Sequence, residues 1–230
     1  MLSLFLLCLA AGLLWALWIP GEGMIASYFS WMAVVSCLLF ACRLGLGWDP
    51  WVAGAAGGAL TYRLKGGKPG LFVASLLAAG ALGKAAWAIP GPKALILPTA
   101  GLSALVLGVT LDAMVLGHWY LVQHGLSFEP LKRMSLAVLA IVFARLVLAS
   151  LWVAGSGRLE EFLSAQNLVF FLMRSVLGFL GPLGLGWMVR ECVKLKSNTS
   201  ATGILYVISV FVLVGEFSAA WFWTSAGAWL

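Results

Sequence analysis

The stretch LAVLAIVFARLVLASLWV, residues 136–153, determines the fold class, because it has 18 consecutive residues with a single charge, Arg145. About 20 apolar residues in helical form cross the hydrocarbon core of a bilayer. Lipid offers no partners for exposed backbone amides, and the period-two alternation of a membrane β-barrel is absent, so we predict an all-α polytopic membrane bundle. Seven spans of this kind are predicted, at 2–19, 24–42, 70–89, 97–122, 131–153, 165–187 and 202–224.

The composition of the whole chain agrees with a membrane protein of one domain. Of the 230 residues, 63% are hydrophobic and 10% are charged, whereas soluble domains average about half and about a quarter. We therefore predict a single transmembrane domain over residues 1–230, with the lipid bilayer as its surroundings and no appended soluble catalytic domain. The net charge of +6 comes mainly from bases beside helix ends, so nucleic acid is not an expected partner.

Basic residues alternate between the predicted loops. The loops after the second, fourth and sixth helices have nine Lys and Arg, and the opposite loops have two. Because loops rich in these residues stay in the cytoplasm, we predict a cytoplasmic N-terminus and an external C-terminus. The sequence shows no eukaryotic targeting pattern, so a bacterial inner membrane is the predicted location. Residues 44–69 are predicted as an interfacial or re-entrant segment followed by a cytoplasmic loop. Asp49-Pro50 and the glycines of 44–62 favour this interpretation, although an eighth span stays open.

Five ionisable residues fall inside the predicted spans: Lys84, Asp112, Arg145, Arg174 and Glu216. A charge near the bilayer centre costs at least about 2.5 kcal/mol, so such residues usually have charged partners or line a polar cavity. Four of them lie about 13–14 residues from the cytoplasmic helix ends, and Asp112 lies about one turn nearer the cytoplasm. We therefore predict that Arg145, Arg174 and Glu216 form one polar centre, with Asp112 nearby. Lys84 either adds its charge there or extends to the interface.

Helical periodicity adds polar residues to the faces that carry these charges. Asn167 shares a face with Arg174, and Ser209 shares a face with Glu216. Pro182 lacks an amide hydrogen and is expected to bend the sixth helix just beyond this face. The candidate ligand-binding residues are therefore Arg145, Arg174, Asn167, Ser209 and Lys84, and the candidate proton-transfer residues are Glu216, Asp112 and His118.

Haem and metal ions are not predicted to bind this chain alone. A haem in a membrane bundle usually needs two histidines at similar depth on facing helices. His118 and His124 lie six residues apart on one helix and point in different directions, although a haem shared with another subunit stays open. His118 is predicted either to relay protons near the interface or simply to lie there beside Trp119. The four cysteines lack the spacing of metal ligands.

The last predicted helix has a segment with a family resemblance, GEFSAAWFW at residues 215–223. It resembles the late-helix segment of the membrane anchors of the dimethyl sulfoxide and polysulfide reductase families. In those anchors a small residue is followed by Glu and then by Arg and aromatic residues, and Ala220 stands here in place of the Arg. The resemblance covers nine residues. It implies a multispanning subunit that binds quinol and passes electrons to an iron–sulfur partner, with Glu216 linked to the quinol.

Three functions are compatible with this pattern. In the first, the chain is a quinone-interacting membrane subunit of a respiratory or electron-transfer complex, whose partner subunits carry haem or iron–sulfur clusters. The arginines would hold the quinone, and Glu216, Asp112 and His118 would move protons. In the second, the same residues serve a proton-coupled transporter or channel for a small anion. In the third, the charges only pair, and the chain is a scaffold subunit.

Overall fold

The computed structural model describes residues 2–20, 26–65, 68–89, 93–123, 127–157, 159–164 and 167–226. All regular structure within these ranges is helical, as predicted. The elements are α1 (Leu2–Ala16), α2 (Ala26–Gly45), α3 (Pro50–Lys65), α4 (Lys68–Trp87), α5 (Lys93–Val122), α6 (Glu129–Ser156), α7 (Leu159–Phe162), α8 (Leu168–Leu172), a π-helical segment (Met173–Leu180), α9 (Gly181–Lys194) and α10 (Asn198–Ala226).

Six helices in the described part of the chain are long and apolar enough to cross a membrane. They are α2, α4, α5, α6, α10 and the continuous helix Leu168–Lys194, which comprises α8, the π-helical segment and α9. The first predicted span corresponds to α1, which is apolar but has only 15 residues. Length and composition therefore identify an integral membrane protein.

α1 and α5 form the centre of the bundle. α1 is buried over most of its length between α2, α4 and α5, and α5 also packs against α6 and α10. At their crossing, a Cβ atom on Gly12 would overlap the carbonyl oxygen of Ala104, and a Cβ atom on Gly108 would overlap the backbone of Gly12. Apolar side chains gain little from leaving lipid, so such close backbone contacts are a main source of helix association in membranes.

α3 lies within residues 44–69, for which the sequence allows an interfacial, a re-entrant or a membrane-spanning arrangement. It packs antiparallel to α4, the next helix in the chain. Near the start of α3, Asp49 forms an ion pair with Lys84 close to the end of α4. Further along, a Cβ atom on Gly58 would come within 3.0 Å of the Cα of Ala74. Small residues therefore let the two helices lie side by side along α3.

The π-helical segment Met173–Leu180 lies just before Pro182. Proline has no amide hydrogen, so it cannot bond to the carbonyl four residues earlier. The amide of Gly181 in turn donates to the carbonyl of Val176, five residues back. The helix therefore adopts π register ahead of Pro182, within the segment that carries Arg174, whereas the sequence predicts a bend just beyond the Arg174 face. Such segments occur frequently at functional sites, and this one carries Arg174.

Candidate functional site

Arg174 and Glu216 form a buried ion pair between the π-helical segment and α10. Arg174 Nη1 donates a hydrogen bond of 2.8 Å to Glu216 Oε1, and the two side chains are only 2% and 4% exposed. Gly178 and Gly215 lie beside the pair, and a Cβ atom on Gly215 would overlap the Cα of Gly178. Because neither glycine has a side chain, the two backbones approach closely enough for the carboxylate to reach the guanidinium.

Arg145 of α6 approaches the same carboxylate oxygen. Its Nε lies 3.9 Å from Glu216 Oε1 and donates a hydrogen bond of 3.2 Å to Ser103 Oγ on α5. Arg145 is fully buried, and Ser103 is 2% exposed. We call Arg145, Arg174, Glu216 and Ser103 the charged centre. It has two guanidinium groups against one carboxylate, and therefore an excess of one positive charge.

Phe179 covers one face of the Arg174 guanidinium, with the ring centroid 4.2 Å from Cζ. The two residues are five apart within the π-helical segment, where hydrogen bonds span five residues. Periodicity of an ordinary α-helix does not place residues five apart on one face, so this contact could not be predicted from the sequence. Arg174 Nε and Nη2 are buried, and neither has a hydrogen-bond partner among the described residues. Buried donors without partners are costly, which makes Arg174 a candidate for contact with a ligand.

A cleft of about 460 Å³ lies beside Arg174, between α6 and the π-helical segment. We call it the Arg174 cleft. Among the described residues that line it, Arg174 is the only charged one, and most of the others are apolar. Leu159 and Leu180 line it and are 47% and 60% exposed, so the cleft opens on the outer surface of the bundle. In a membrane-embedded helix bundle, this outer surface is in contact with lipid.

Asp112 of α5 is not part of the charged centre, although it is also fully buried. The hydroxyl of Tyr28 on α2 donates to Asp112 Oδ1 at 2.5 Å and lies 3.1 Å from the backbone carbonyl oxygen of Asp112. Asp112 Oδ2 has no hydrogen-bond partner, and no base forms an ion pair with Asp112, within the described ranges. Tyr28 was missed by the sequence analysis, because an aromatic residue near a helix start looks like an ordinary interfacial anchor.

Lys84 also lies away from the charged centre. Its Nζ is 2.8 Å from Asp49 Oδ2, and its side chain is 58% exposed. Of the two arrangements that the sequence left open for Lys84, the structure has the one outside the centre, because the long side chain reaches Asp49. Asp49 precedes α3 and lies outside the spans. Burial raises its pKa, but hydrogen bonds from Lys84 and the Trp51 amide, with the nearby positive charges, outweigh burial, so the pKa lies below its ordinary value.

Ser209 of α10 forms its hydrogen bonds outside the charged centre. Ser209 is buried, and its hydroxyl donates to the carbonyl of Leu205 at 2.9 Å and lies 3.4 Å from the carbonyl oxygen of Thr110. These bonds are to backbone groups of α10 and α5, so the hydroxyl serves helix packing. Asn167 precedes α8 and is half-buried.

His118 is exposed near the end of α5. Its Nδ1 lies 3.3 Å from the hydroxyl of Tyr206 on α10. The second histidine, His124, lies outside the described residues. Among those that are described, no group of three or more His, Cys, Asp or Glu could hold a metal ion.

Comparison with known proteins gives no relative of this chain: no protein-family model, no curated protein and no solved structure matches it. The charged centre and the Arg174 cleft are therefore the basis for assigning a function.

Proposed function

We propose that this chain is a membrane subunit of a respiratory or electron-transfer complex and that it binds quinone or quinol in the Arg174 cleft. The main support is a largely apolar cleft on the outer surface of the bundle whose one charged lining residue, among those described, has buried donors without partners. Binding sites for such molecules combine apolar walls with a few well-placed polar groups. A quinone has an apolar ring, a lipid-soluble tail and two carbonyl acceptors, so it fits both properties.

Each residue of the charged centre then has a distinct task. Arg174 donates to a quinone carbonyl, because its guanidinium stays charged and presents several donors in one plane. Glu216 orients Arg174 through the hydrogen bond between them and is the proposed acceptor, behind Arg174, for a proton that the quinol releases. Arg145, held by Ser103, keeps positive charge next to Glu216 after that proton has moved.

Oxidation of a quinol releases two protons and two electrons, and both need acceptors. Haem or iron–sulfur clusters of the proposed partner subunits would accept the electrons. Asp112 and His118 remain candidates for passing protons toward the cytoplasmic side, because both are polar side chains of α5. The bacterial inner membrane is the location that suits such a complex.

We also propose that the bundle crosses the bilayer eight times, with both termini outside. The antiparallel packing of α3 along α4 supports this number, because α3 then runs back beside a spanning helix. Its 16 residues rise about 24 Å, against a bilayer core of about 30 Å. Eight Lys and Arg then lie near the cytoplasmic side and four near the outside, with Arg145 and Arg174 within the spans.

Reporters fused at residues 47 and 66 should lie on opposite sides of the membrane. Reporters on the same side would favour seven spans and a cytoplasmic N-terminus.

The quinone proposal is tested on the intact chain purified in mild detergent. We expect bound quinone by extraction and mass spectrometry, and binding of added quinone at least about tenfold weaker in Arg174→Gln, because a hydrogen bond from a charged donor contributes about 1.5–3 kcal/mol. Arg133→Gln, an exposed base on the same helix as Arg145, is the control and should bind quinone normally. Ala154→Leu should also weaken binding, because it fills the cleft and leaves the ion pair intact. Normal binding by both cleft variants would refute the proposal.

A second candidate function is proton-coupled transport of a small anion. The excess positive charge of the charged centre favours it, because net positive charge within a helix bundle attracts an anion. In that case the isolated chain in liposomes should take up anions in response to a proton gradient, and Arg174→Gln should abolish the uptake. Quinone binding without such uptake would leave the first proposal as the function.

A further inference from the structure

A second cleft, of about 270 Å³, lies between the start of α6 and the end of α9. We call it the basic cleft, because four bases and one acid line it: Lys132, Arg190, Lys194, Lys196 and Glu129. It lies beside the turn between α9 and α10, whereas the Arg174 cleft lies along the π-helical segment. The quinone and transport proposals make no use of it.

The positive charge of the basic cleft is only partly neutralised by nearby acids. Glu129 lies 3.9 Å from Lys132, and Glu191 lies 2.7 Å from Lys194. Arg190 and Lys196 form no ion pair within the described part of the chain. Two cationic side chains that line one concavity without counterions create a local site for an anion.

The backbone and an aromatic ring position these two bases. The Arg190 guanidinium lies over the Trp187 ring, with Cζ 5.1 Å from the ring centroid. Lys196 has a φ of 57°, the left-handed conformation that side-chain-bearing residues seldom adopt. Backbone hydrogen bonds fix this turn, from the Lys196 amide to the Val193 carbonyl and from the Ser197 amide to the Cys192 carbonyl. The cleft is therefore a defined feature of the α9–α10 turn.

Apolar side chains adjoin the bases on the outer surface of the bundle. Leu136 lines the basic cleft and is 43% exposed, and Trp187, under Arg190, is 56% exposed. Exposed Trp residues are common where a membrane protein meets the headgroup level. A ligand in the basic cleft can therefore contact cations and lipid-facing carbon atoms together.

We propose that the basic cleft binds the phosphate of an anionic phospholipid headgroup. Phosphate offers several acceptor oxygens to the guanidinium and ammonium donors, and the acyl chains continue along Leu136. Basic pockets between transmembrane helices at the cytoplasmic side bind such headgroups in the same way. A free phosphate ion has the same charged chemistry, but it does not use the apolar side of the cleft.

The bases have simpler roles that need no ligand. Positive residues near a helix C-terminus, such as Arg190 and Lys194 on α9, interact favourably with the helix dipole. Basic loops also orient the chain in the membrane. Neither role predicts preference for one lipid over another, so lipid selectivity separates them from the proposed site.

The test is native mass spectrometry of the full chain in mild detergent, with phosphatidylglycerol or phosphatidylcholine added. We expect preferential binding of phosphatidylglycerol. The double variant Arg190→Gln with Lys196→Gln should weaken this binding about 25-fold, because each base removed should weaken it about fivefold. The control is Arg63→Gln with Lys68→Gln. These bases are exposed near the connection between α3 and α4, and their removal should change binding by less than about twofold.

Equal binding of the two lipids would overturn the proposal, and so would an equal loss in both double variants. A competition experiment with inorganic phosphate distinguishes a lipid headgroup from a free phosphate ion. If it displaces phosphatidylglycerol at equal concentration, the cleft is a site for free phosphate and the lipid assignment fails. Arg190→Lys guards against misfolding, because it keeps the charge and should retain the lipid preference. Quinone binding at Arg174 should be unaffected in every variant, so failure of one proposal does not imply failure of the other.

Discussion

Glu216 and Asp112 are both acids within long apolar helices, and both are buried, but the structure gives them different surroundings. Glu216 lies within 4 Å of two guanidinium groups, those of Arg174 and Arg145. Asp112 accepts a hydrogen bond from the neutral Tyr28 hydroxyl and has no ion pair among the described residues. A buried acid in a membrane helix is therefore not enough to identify a charged site. The partner, supplied by another helix, decides what the acid can do.

The largest effect should come from Glu216→Gln. This change leaves the two buried guanidinium groups without the carboxylate between them, and breaking a buried ion pair in this way costs about 3–5 kcal/mol. The free energy of unfolding in detergent should fall by that amount, or the protein should fail to accumulate. Glu191→Gln, which removes an exposed acid on α9, is the control and should change stability by less than about 1 kcal/mol.

Replacement of the whole charged centre separates its structural and functional roles. Buried ion groups can often be exchanged for apolar residues of similar size without loss of stability. The triple variant Arg145→Met, Arg174→Met and Glu216→Met should therefore restore the folding that Glu216→Gln loses. Restored folding together with restored quinone turnover would mean that the charges only pair, as in a scaffold subunit.

The next effect concerns the glycine contact that brings Glu216 to Arg174. Gly215→Ala places a methyl group against the backbone of Gly178 and should destabilise the protein by about 1–3 kcal/mol, because it forces α10 away from the π-helical segment. Gly203→Ala, on the same helix with no atom within 4 Å of the added methyl group, is the matched control and should be neutral or slightly stabilising. Equal effects in thermal unfolding would show that the contact is not what positions the ion pair.

Asp112→Asn should have a smaller effect, of about 1 kcal/mol or less. The amide keeps the acceptor for Tyr28 and strands no counterion, because Asp112 has no ion pair among the described residues. Tyr28→Phe should cost more, about 1–3 kcal/mol, because it removes the donor to a buried carboxyl group. Chemical unfolding of both variants measures the difference. A loss from Asp112→Asn as large as that from Glu216→Gln would mean that the two acids are equivalent.

The smallest effect is expected at the ion pair between the buried Asp49 and the exposed Lys84. The pKa of Asp49 is lowered in the folded protein, so its contribution is present above the ordinary pKa of about 3.9 and is lost as the pH falls through the lower folded value. Because Lys84 is 58% exposed, the contribution should be below about 1 kcal/mol. Unfolding measured between about pH 2 and pH 6 should show this dependence, and Asp49→Asn should remove it. An unchanged slope in Asp49→Asn would contradict the assignment.

The sequence identified part of the charged centre and missed the rest for clear reasons. Arg145, Arg174 and Glu216 are charges in apolar runs at a common depth, and this signal is strong because burying an unpaired charge in lipid is costly. The same signal placed Asp112 near the charged centre, and it did not decide whether Lys84 joins that centre or extends to the interface. Depth along a helix does not show which way a side chain faces. Ser103 has no charge and gave no signal of its own.

The sequence by itself determined that the chain is helical and embedded in a membrane, because runs of apolar residues long enough to cross a bilayer have few other stable structures. The partners of the buried charges were decided only by tertiary structure. Arg174 and Glu216 are 42 residues apart, and so are Arg145 and Ser103, while Tyr28 and Asp112 are 84 apart. Which of these groups meet depends on where glycines let backbones touch and where Pro182 shifts a helix into π register, and neither follows from the periodicity of a single helix.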